Sequence, residues 1–69
     1  MGSYEAAIKC YEEYIEYDPQ PDKKVAYCNI SFCHYKLKDY KDSIESADDS
    51  ISEDPTYHKA YYRKLQAYK

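Results

Sequence analysis

The 69-residue sequence contains a single glycine and no tryptophan. One glycine excludes the glycine-rich loops that cradle nucleotide phosphates, and it excludes collagen-like and linker-like chains as well. The longest purely apolar run, residues 25–28, is far too short to span a bilayer. A chain of this length holds one small domain or a piece of one, so a large catalytic cleft is not expected.

Large aliphatic side chains are also scarce. Leucine, isoleucine, valine and phenylalanine together supply nine residues, whereas tyrosine alone supplies eleven. A tyrosine can bury its ring while its hydroxyl stays hydrogen-bonded or wet. We therefore predict a thin, partly polar core of modest stability, built from tyrosine rather than leucine.

Charge and cysteine content limit the partners and the compartment. Acidic residues exceed basic ones, 13 against 10, which gives a formal net charge of −3. A general nucleic-acid binder would be basic, so we predict no nucleic-acid partner and no membrane insertion. The cysteines are odd in number and lack CxxC spacing, which fits a reducing, cytoplasmic location. Residues 1–3 look like a remnant of expression cloning and carry no functional argument.

Apolar residues recur at helical spacing in four segments. The stripes run over residues 4–15, 26–37, 40–51 and 60–68, with Asp39 as the predicted N-cap of the third helix. The third helix is rich in Asp and Ser, which favour helix ends over helix interiors, so packing has to hold it. No segment alternates with period two, and the sequence predicts an all-α fold.

The first and third helices repeat one pattern. Tyr4, Ile8, Ile15 and Asp18-Pro19 recur 36 residues later as Tyr40, Ile44, Ile51 and Asp54-Pro55. The two proline pairs are predicted to end their helices. Self-similarity of helical units at a fixed period predicts a solenoid, in which each helix pair buries its apolar face on its neighbours.

This repeat resembles the tetratricopeptide pattern, a unit of about 34 residues with a large aromatic, Leu-Gly, Tyr, Ala, Phe and Pro at set offsets. Counting back from Pro55, Tyr27 occupies the aromatic position, Ile30-Ser31 the Leu-Gly position and Ser43 the Ala position. His34 departs from the pattern, which has Tyr there. The resemblance implies tetratricopeptide helical hairpins, about four antiparallel helices in a right-handed superhelical solenoid fragment.

In this frame, residues 4–19 form the second helix of a first repeat, residues 24–55 a complete repeat and residues 56–69 the first helix of a following repeat. The first helix of repeat one is missing from the frame. We therefore expect a piece of a longer array, with uncovered faces on its first and fourth helices. Exposed apolar surface of this kind favours self-association.

One branch of the tetratricopeptide family consists of co-chaperones that bind the acidic C-terminal tails of the seventy- and ninety-kilodalton heat-shock chaperones through a carboxylate clamp. This sequence resembles that branch: Asn29 matches the family's Asn in one repeat, and Lys59 and Arg63 match its Lys-x-x-x-Arg in the next. The resemblance implies that these three residues bind the peptide carboxylate. Candidate groove neighbours share helix faces with them: Lys36, Tyr62 and Gln66.

The clamp is partial, because two further family residues, a Lys and an Asn, belong to the helix missing from the frame. The simpler interpretation is that Lys59 and Arg63 are solvated surface residues and Asn29 a neutral helix residue. The rival functional hypothesis is a structural or self-associating fragment, dimeric or helix-swapped, with no ligand of its own.

Other chemistry has little support in the sequence. His34 and His58 stand in no HxxxH spacing, so no metal site is predicted. Cys28 and Cys33 are expected to be small packing residues rather than reactive thiols. No nucleophile, base and acid occur in an order that indicates catalysis. The sequence therefore predicts neither enzyme activity nor a cofactor.

Overall fold

The computed structural model describes residues 3–16 and 23–68, which form four α-helices without a β-strand. The helices are α1 (Ser3–Glu16), α2 (Lys23–Lys36), α3 (Tyr40–Glu53) and α4 (His58–Tyr68). This arrangement confirms the predicted all-α fold of helical hairpins. The predicted helix end at Asp18-Pro19 lies outside the described residues. Within the described ranges, no helix is both long enough and apolar enough to cross a membrane.

Helix α2 lies at the centre of the packing. It contacts α1, α3 and α4, and α3 in turn packs on α4. A helix with neighbours on several sides must bury more than one face, which explains why α2 is apolar around much of its circumference. All three other helices therefore pack against α2.

The core consists of small residues, and the prediction of a tyrosine core is wrong. None of the ten described tyrosines is fully buried; they are half-buried or exposed. Ile8, Ile30 and Cys33 form the central cluster. The remaining buried apolar residues are small: Ala26, Cys28, Ala47, Ala60 and Ala67. Such residues let helices approach closely, and a close-packed interior of this kind has no space for tyrosine rings.

The core is partly polar, as predicted, because three serines are fully buried. The Ser31 hydroxyl donates to the Ser43 carbonyl at 2.7 Å, and the Ser43 hydroxyl donates to the Ser31 carbonyl at 2.8 Å. The Ser50 hydroxyl donates to the Lys24 carbonyl at 2.7 Å. Each buried hydroxyl thus has an acceptor on the facing helix, which removes the cost of burying it unpaired. These bonds join α2 to α3.

The turn between α2 and α3 is closed by a Schellman motif. The Lys38 N–H donates to the Tyr35 carbonyl at 3.0 Å, and the Asp39 N–H donates to the His34 carbonyl at 2.8 Å. Lys38 has a φ of 67°, in the left-handed region that glycine usually occupies at this position. A residue with a Cβ is strained there by about 1–2 kcal/mol.

Replacing Lys38 with glycine is expected to raise the free energy of unfolding by about 0.5–1 kcal/mol. Glycine removes the left-handed strain, and its larger entropy in the unfolded chain offsets part of that gain. Urea unfolding followed by circular dichroism measures the change. The matched control is Lys9→Gly in the middle of α1, which should lower stability by about 1 kcal/mol. A Lys38→Gly protein less stable than wild type would contradict this account of the turn.

Asp39 occupies the N-cap position of α3, as predicted, but its side chain makes no capping hydrogen bond. Its carboxylate lies 3.8 Å from Nδ1 of His34 instead. The tight Schellman turn brings the last turn of α2 beside this carboxylate, but 3.8 Å is too long for a hydrogen bond, and Nδ1 of His34 has no hydrogen-bond partner among the described residues.

At the other end of α3, the Asp54 side chain links the end of α3 to the start of α2 and to the turn that follows α3. Its carboxylate accepts hydrogen bonds from the Lys24 ammonium at 2.7 Å, the Thr56 hydroxyl at 2.6 Å and the Thr56 N–H at 3.0 Å. These bonds, first that from Lys24, hold the pKa of the Asp54 carboxyl well below its usual range. Asp54 thereby fixes the end of α3, as predicted for Asp54-Pro55, and ties it to the start of α2.

Asp54→Asn is expected to destabilise the fold at neutral pH and to lose this effect in acid. A depressed pKa adds stability above the unfolded pKa of about 3.9, and the stability is lost as pH falls through the lower folded pKa. The stability gap between wild type and variant should therefore shrink from about pH 4 downward. Urea unfolding at a series of pH values measures it, with the exposed Glu13→Gln as control. A stability difference between wild type and Asp54→Asn that stays constant below about pH 4 would refute the lowered pKa of Asp54.

Candidate functional site

The predicted binding residues lie on two packed helices, α2 and α4. Asn29 and Lys36 are seven residues apart on one face of α2, and Phe32 lies between them on the same face. On α4, Lys59 and Arg63 are four residues apart and share a face with Gln66. We call these six residues, together with Tyr62, the α2–α4 surface.

Arg63 joins the two halves of this surface. Its guanidinium carbon lies 4.6 Å from the centroid of the Phe32 ring and 5.7 Å from that of Tyr62. Its Nη1 donates a long hydrogen bond of 3.4 Å to Oε1 of Gln66. Lys36 reaches the same Phe32 ring from α2, with its ammonium 5.5 Å from the centroid. Arg63, Gln66, Tyr62 and Lys36 are thus brought together around one aromatic side chain.

The Arg63 guanidinium has unused donors. Its Nε is buried and has no hydrogen-bond partner. Within residues 3–16 and 23–68, no carboxylate forms an ion pair with Arg63. A partly buried cation without a counter-charge is costly, because it loses water without gaining an acceptor. The terminal N–H groups of this guanidinium are therefore suited to an anion supplied from outside the helices, whereas its buried Nε is out of a ligand's reach.

Lys59 and Asn29 flank the cluster without contacting it. Lys59 is exposed in the first turn of α4, one turn before Arg63, and Asn29 is half-buried one turn before Phe32. In the described part of the chain, neither side chain makes a hydrogen bond or an ion pair. Other lysines are engaged: Lys64 binds Asp48 at 2.8 Å, and Lys24 binds Asp54 at 2.7 Å. The predicted site residues keep their donors available.

The opposite side of α2 has the opposite charge. Tyr27, Ile30 and His34 lie about half a turn from Asn29 and Phe32, since successive helix residues rotate by about 100°. They form the floor of a groove of about 670 Å³ between α1 and α3. The groove carries five carboxylates: Glu12, Glu16, Asp42, Glu45 and Asp49.

Crowding of carboxylates is evident at Asp49. Burial and the nearby charges of Glu45, Asp48 and Glu53 raise the pKa of its carboxyl. An acidic ligand would therefore be repelled from this side of α2. It would be attracted to the α2–α4 surface, so the two sides of the module differ in the ligands they favour.

Sequence reasoning missed Phe32 and one group of titratable side chains. Phe32 is the single phenylalanine of the chain and lies in register between Asn29 and Lys36, a spacing that could have revealed it. His34, Asp39 and Asp42 have ligand atoms within 4.8 Å of one another. Two of the three are exposed aspartates, and the pairing of His34 with Asp39 accounts for the approach. All three cysteines are free thiols, with Cys28 and Cys33 buried as expected.

Comparison with known proteins agrees with the helical pattern. The model of the tetratricopeptide repeat family matches residues 1–21 and 25–57. The chain is 38% identical over 69 residues to DnaJ homolog subfamily C member 7 of Mus musculus, covering 97% of this chain and 14% of that protein.

Two fungal proteins are also similar. The chain is 37% identical over 60 residues to small glutamine-rich tetratricopeptide repeat-containing protein 2 of Saccharomyces cerevisiae, covering 87% of this chain and 17% of that protein. It is 50% identical over 40 residues to FK506-binding protein 5 of Rhizopus delemar, covering 58% of this chain and 10% of that protein. The chain thus spans less than a fifth of the length of these relatives. No solved structure matches significantly.

Proposed function

The chain belongs to the tetratricopeptide repeat family, and from this premise we propose that it is a binding module of the co-chaperone type for acidic C-terminal peptides. Its ligand is the tail of a seventy- or ninety-kilodalton heat-shock chaperone, and the binding takes place in the cytoplasm. Asn29, Lys59 and Arg63 hold the carboxylate end of that tail. The module binds and does not catalyse.

One observation carries this proposal: the half-buried Arg63 guanidinium and the Lys36 ammonium lie against one aromatic ring, and neither has an acidic partner among the described residues. The sequence has more acidic than basic residues, so two unpaired cations gathered around one ring need an explanation. An anionic ligand supplies one.

The chemistry of the three residues suits a carboxylate. The Asn29 amide donates neutral hydrogen bonds, the Lys59 ammonium adds a point charge, and the Arg63 fork binds both oxygens of one carboxylate. Lys59 and Arg63 repel each other by a few tenths of a kcal/mol across one turn. Lys59 also lies at the positive end of the α4 dipole. A bound carboxylate would relieve both costs.

The neighbours of these residues suit the rest of a peptide. Lys36 offers a second ammonium on the same surface for an acidic side chain, and Gln66 offers an amide beside Arg63. The Tyr62 ring is 60% exposed, so an apolar side chain of the tail can pack on it without displacing a core residue. We assign these three residues to the groove rather than to the carboxylate contact.

The proposal is tested by fluorescence anisotropy of a labelled peptide ending in Glu-Glu-Val-Asp, titrated with the chain at low and high salt. We expect saturable binding that weakens as salt rises, because exposed ionic contacts are screened. The absence of saturable binding at low salt would overturn the proposal.

The exposed face of α4 favours a second candidate function, self-association. Tyr62, Leu65 and Tyr68 are 60%, 64% and 65% exposed on one short helix, and a second copy of the chain could cover them. Light scattering over a wide concentration range tests this candidate, with Leu65→Glu as the disrupting variant. A dimer that persists on dilution and is lost in Leu65→Glu would support it, whereas a monomer at high concentration would remove it.

A further inference from the structure

Phe32 lies at the centre of the α2–α4 surface, although no predicted role includes it. Three side chains from three helices meet its half-buried ring. The Tyr4 ring of α1 approaches edge-on, with centroids 6.5 Å apart and an interplanar angle of 72°. The Arg63 guanidinium lies 4.6 Å from the centroid, and the Lys36 ammonium lies 5.5 Å from it.

The contacts with the two cations are attractive. The face of an aromatic ring carries negative potential, so cations within about 6 Å of its centroid are bound by it. Guanidinium groups also stack well on such rings, because they are planar and weakly hydrated. Arg63 and Lys36 have no carboxylate partner in the described part of the chain; the Phe32 ring contacts both cations, and the Tyr62 ring is a second, more distant contact of Arg63.

The ring also restricts the movement of Arg63. A free arginine side chain loses rotamer entropy when it is fixed by a ligand. Stacking on Phe32, together with the long hydrogen bond to Gln66, holds the guanidinium in one place before a ligand arrives. A guanidinium that is already held in its binding position loses less entropy when the ligand binds, so it binds the ligand more tightly. The edge-on contact with Tyr4 in turn holds the ring.

We propose that Phe32 is a positioning residue for the peptide-carboxylate site: its ring holds the Arg63 guanidinium on the surface that receives the peptide. This inference rests on the proposed function. Phe32 acts through Arg63 and does not itself bind the carboxylate. Its contribution therefore depends on the charge of the peptide's C-terminus, which a purely structural role would not do.

The test uses two substitutions of Phe32. Phe32→Leu keeps an apolar side chain but removes the aromatic face, and Phe32→Tyr restores that face. Binding of a peptide ending in Glu-Glu-Val-Asp is measured by anisotropy with a free and with an amidated C-terminus. We expect Phe32→Leu to weaken binding of the free form about five- to tenfold and to leave the residual binding of the amidated form unchanged. Phe32→Tyr should stay within about twofold of wild type.

Nuclear magnetic resonance of the peptide-free chain gives an independent measure. Stacking should shift the side-chain Hδ and Hε resonances of Arg63 upfield by the ring current. Phe32→Leu should abolish that shift, whereas the control Tyr62→Leu, which removes the more distant ring, should preserve most of it. Circular dichroism melts establish that each variant is folded.

The two measurements separate the possible failures. Wild-type chain that does not bind the peptide would overturn the proposed function and, with it, the role of Phe32 in binding. Binding by wild type that is weakened equally for free and amidated peptides in Phe32→Leu would leave the proposed function standing and refute positioning. An unchanged Arg63 shift in Phe32→Leu would refute positioning whether or not the peptide binds.

Discussion

Arg63→Ala is expected to weaken binding of a peptide with a free acidic C-terminus by about 10- to 100-fold. A hydrogen bond to a charged group contributes about 1.5–3 kcal/mol, and each 1.4 kcal/mol corresponds to a factor of ten in affinity. Arg63 has no acidic partner among the described residues, so its removal breaks no ion pair that holds the fold. The loss should therefore appear in binding, as measured by anisotropy, and only weakly in stability.

The matched control is Lys64→Ala. Lys64 follows Arg63 on the same helix and carries the same charge, but its ammonium is bound to Asp48 at 2.8 Å. This hydrogen bond also raises the pKa of Lys64. We expect Lys64→Ala to change peptide affinity by less than about twofold, as is usual for an exposed charge outside the contact.

Arg63→Lys should fall between wild type and Arg63→Ala, because it keeps the charge but loses the fork. Equal losses in Arg63→Ala and Lys64→Ala would mean that net charge, rather than a site at Arg63, governs binding.

Ser43→Leu is expected to remove a large share of the free energy of unfolding. Ser43 is 1% exposed, and its hydroxyl and carbonyl both bond to Ser31 on the facing helix. A leucine would force α2 and α3 apart at a cost of about 1–3 kcal/mol or more. A single core in so small a chain rarely supplies more than about 3–5 kcal/mol. Circular dichroism and urea unfolding measure the effect.

Two further variants separate size from hydrogen bonding at this position. Ser43→Ala keeps the small volume and loses one hydrogen bond, so it should cost only about 0.5–1.5 kcal/mol. Ser52→Leu makes the same change on an exposed position of α3 and should alter stability by less than about 0.5 kcal/mol. Ser43→Leu as stable as Ser43→Ala would show that the helices do not pack as closely at this point as described.

Helix positions could be predicted from the sequence because they depend on local patterns. The stripe of Tyr40, Ile44 and Ile51 and the pair Asp54-Pro55 predicted α3 and its end, and α3 does end at Glu53. Repeat spacing then indicated the all-α hairpins without any knowledge of contacts.

Features that depend on contacts between distant segments could not be predicted. A tyrosine side chain can be buried in a core or remain at the surface. Here α2 and α3 approach so closely at Ser31 and Ser43 that tyrosine rings do not fit between them and remain nearer the surface. Asp39 has the sequence of an N-cap, but the folded turn brings His34 beside it. Lys38 adopts a left-handed conformation with no glycine to indicate it.

The candidate site also has residues that the sequence predicts and features that depend on the folded structure. Asn29, Lys59 and Arg63 follow from their register with the family pattern, and their role in binding stays a prediction. The spacing of Phe32 places it on the face of Asn29 and Lys36, but its proposed role depends on the contacts that Arg63 of α4 and Tyr4 of α1 make with its ring. The charge difference between the two sides of α2 could not be predicted either, because the acidic groove is formed by α1, α2 and α3 together.

The most direct test of carboxylate recognition compares one acidic peptide with a free and with an amidated C-terminus, in otherwise identical anisotropy titrations. Amidation removes one negative charge and replaces, by an NH2 group, one of the two carboxylate oxygens that Asn29, Lys59 and Arg63 are proposed to bind. We predict a loss of at least about tenfold in affinity, because at least one charged hydrogen bond disappears. Equal affinity for the two peptides would contradict recognition of the terminal carboxylate and leave the α2–α4 surface without its proposed ligand.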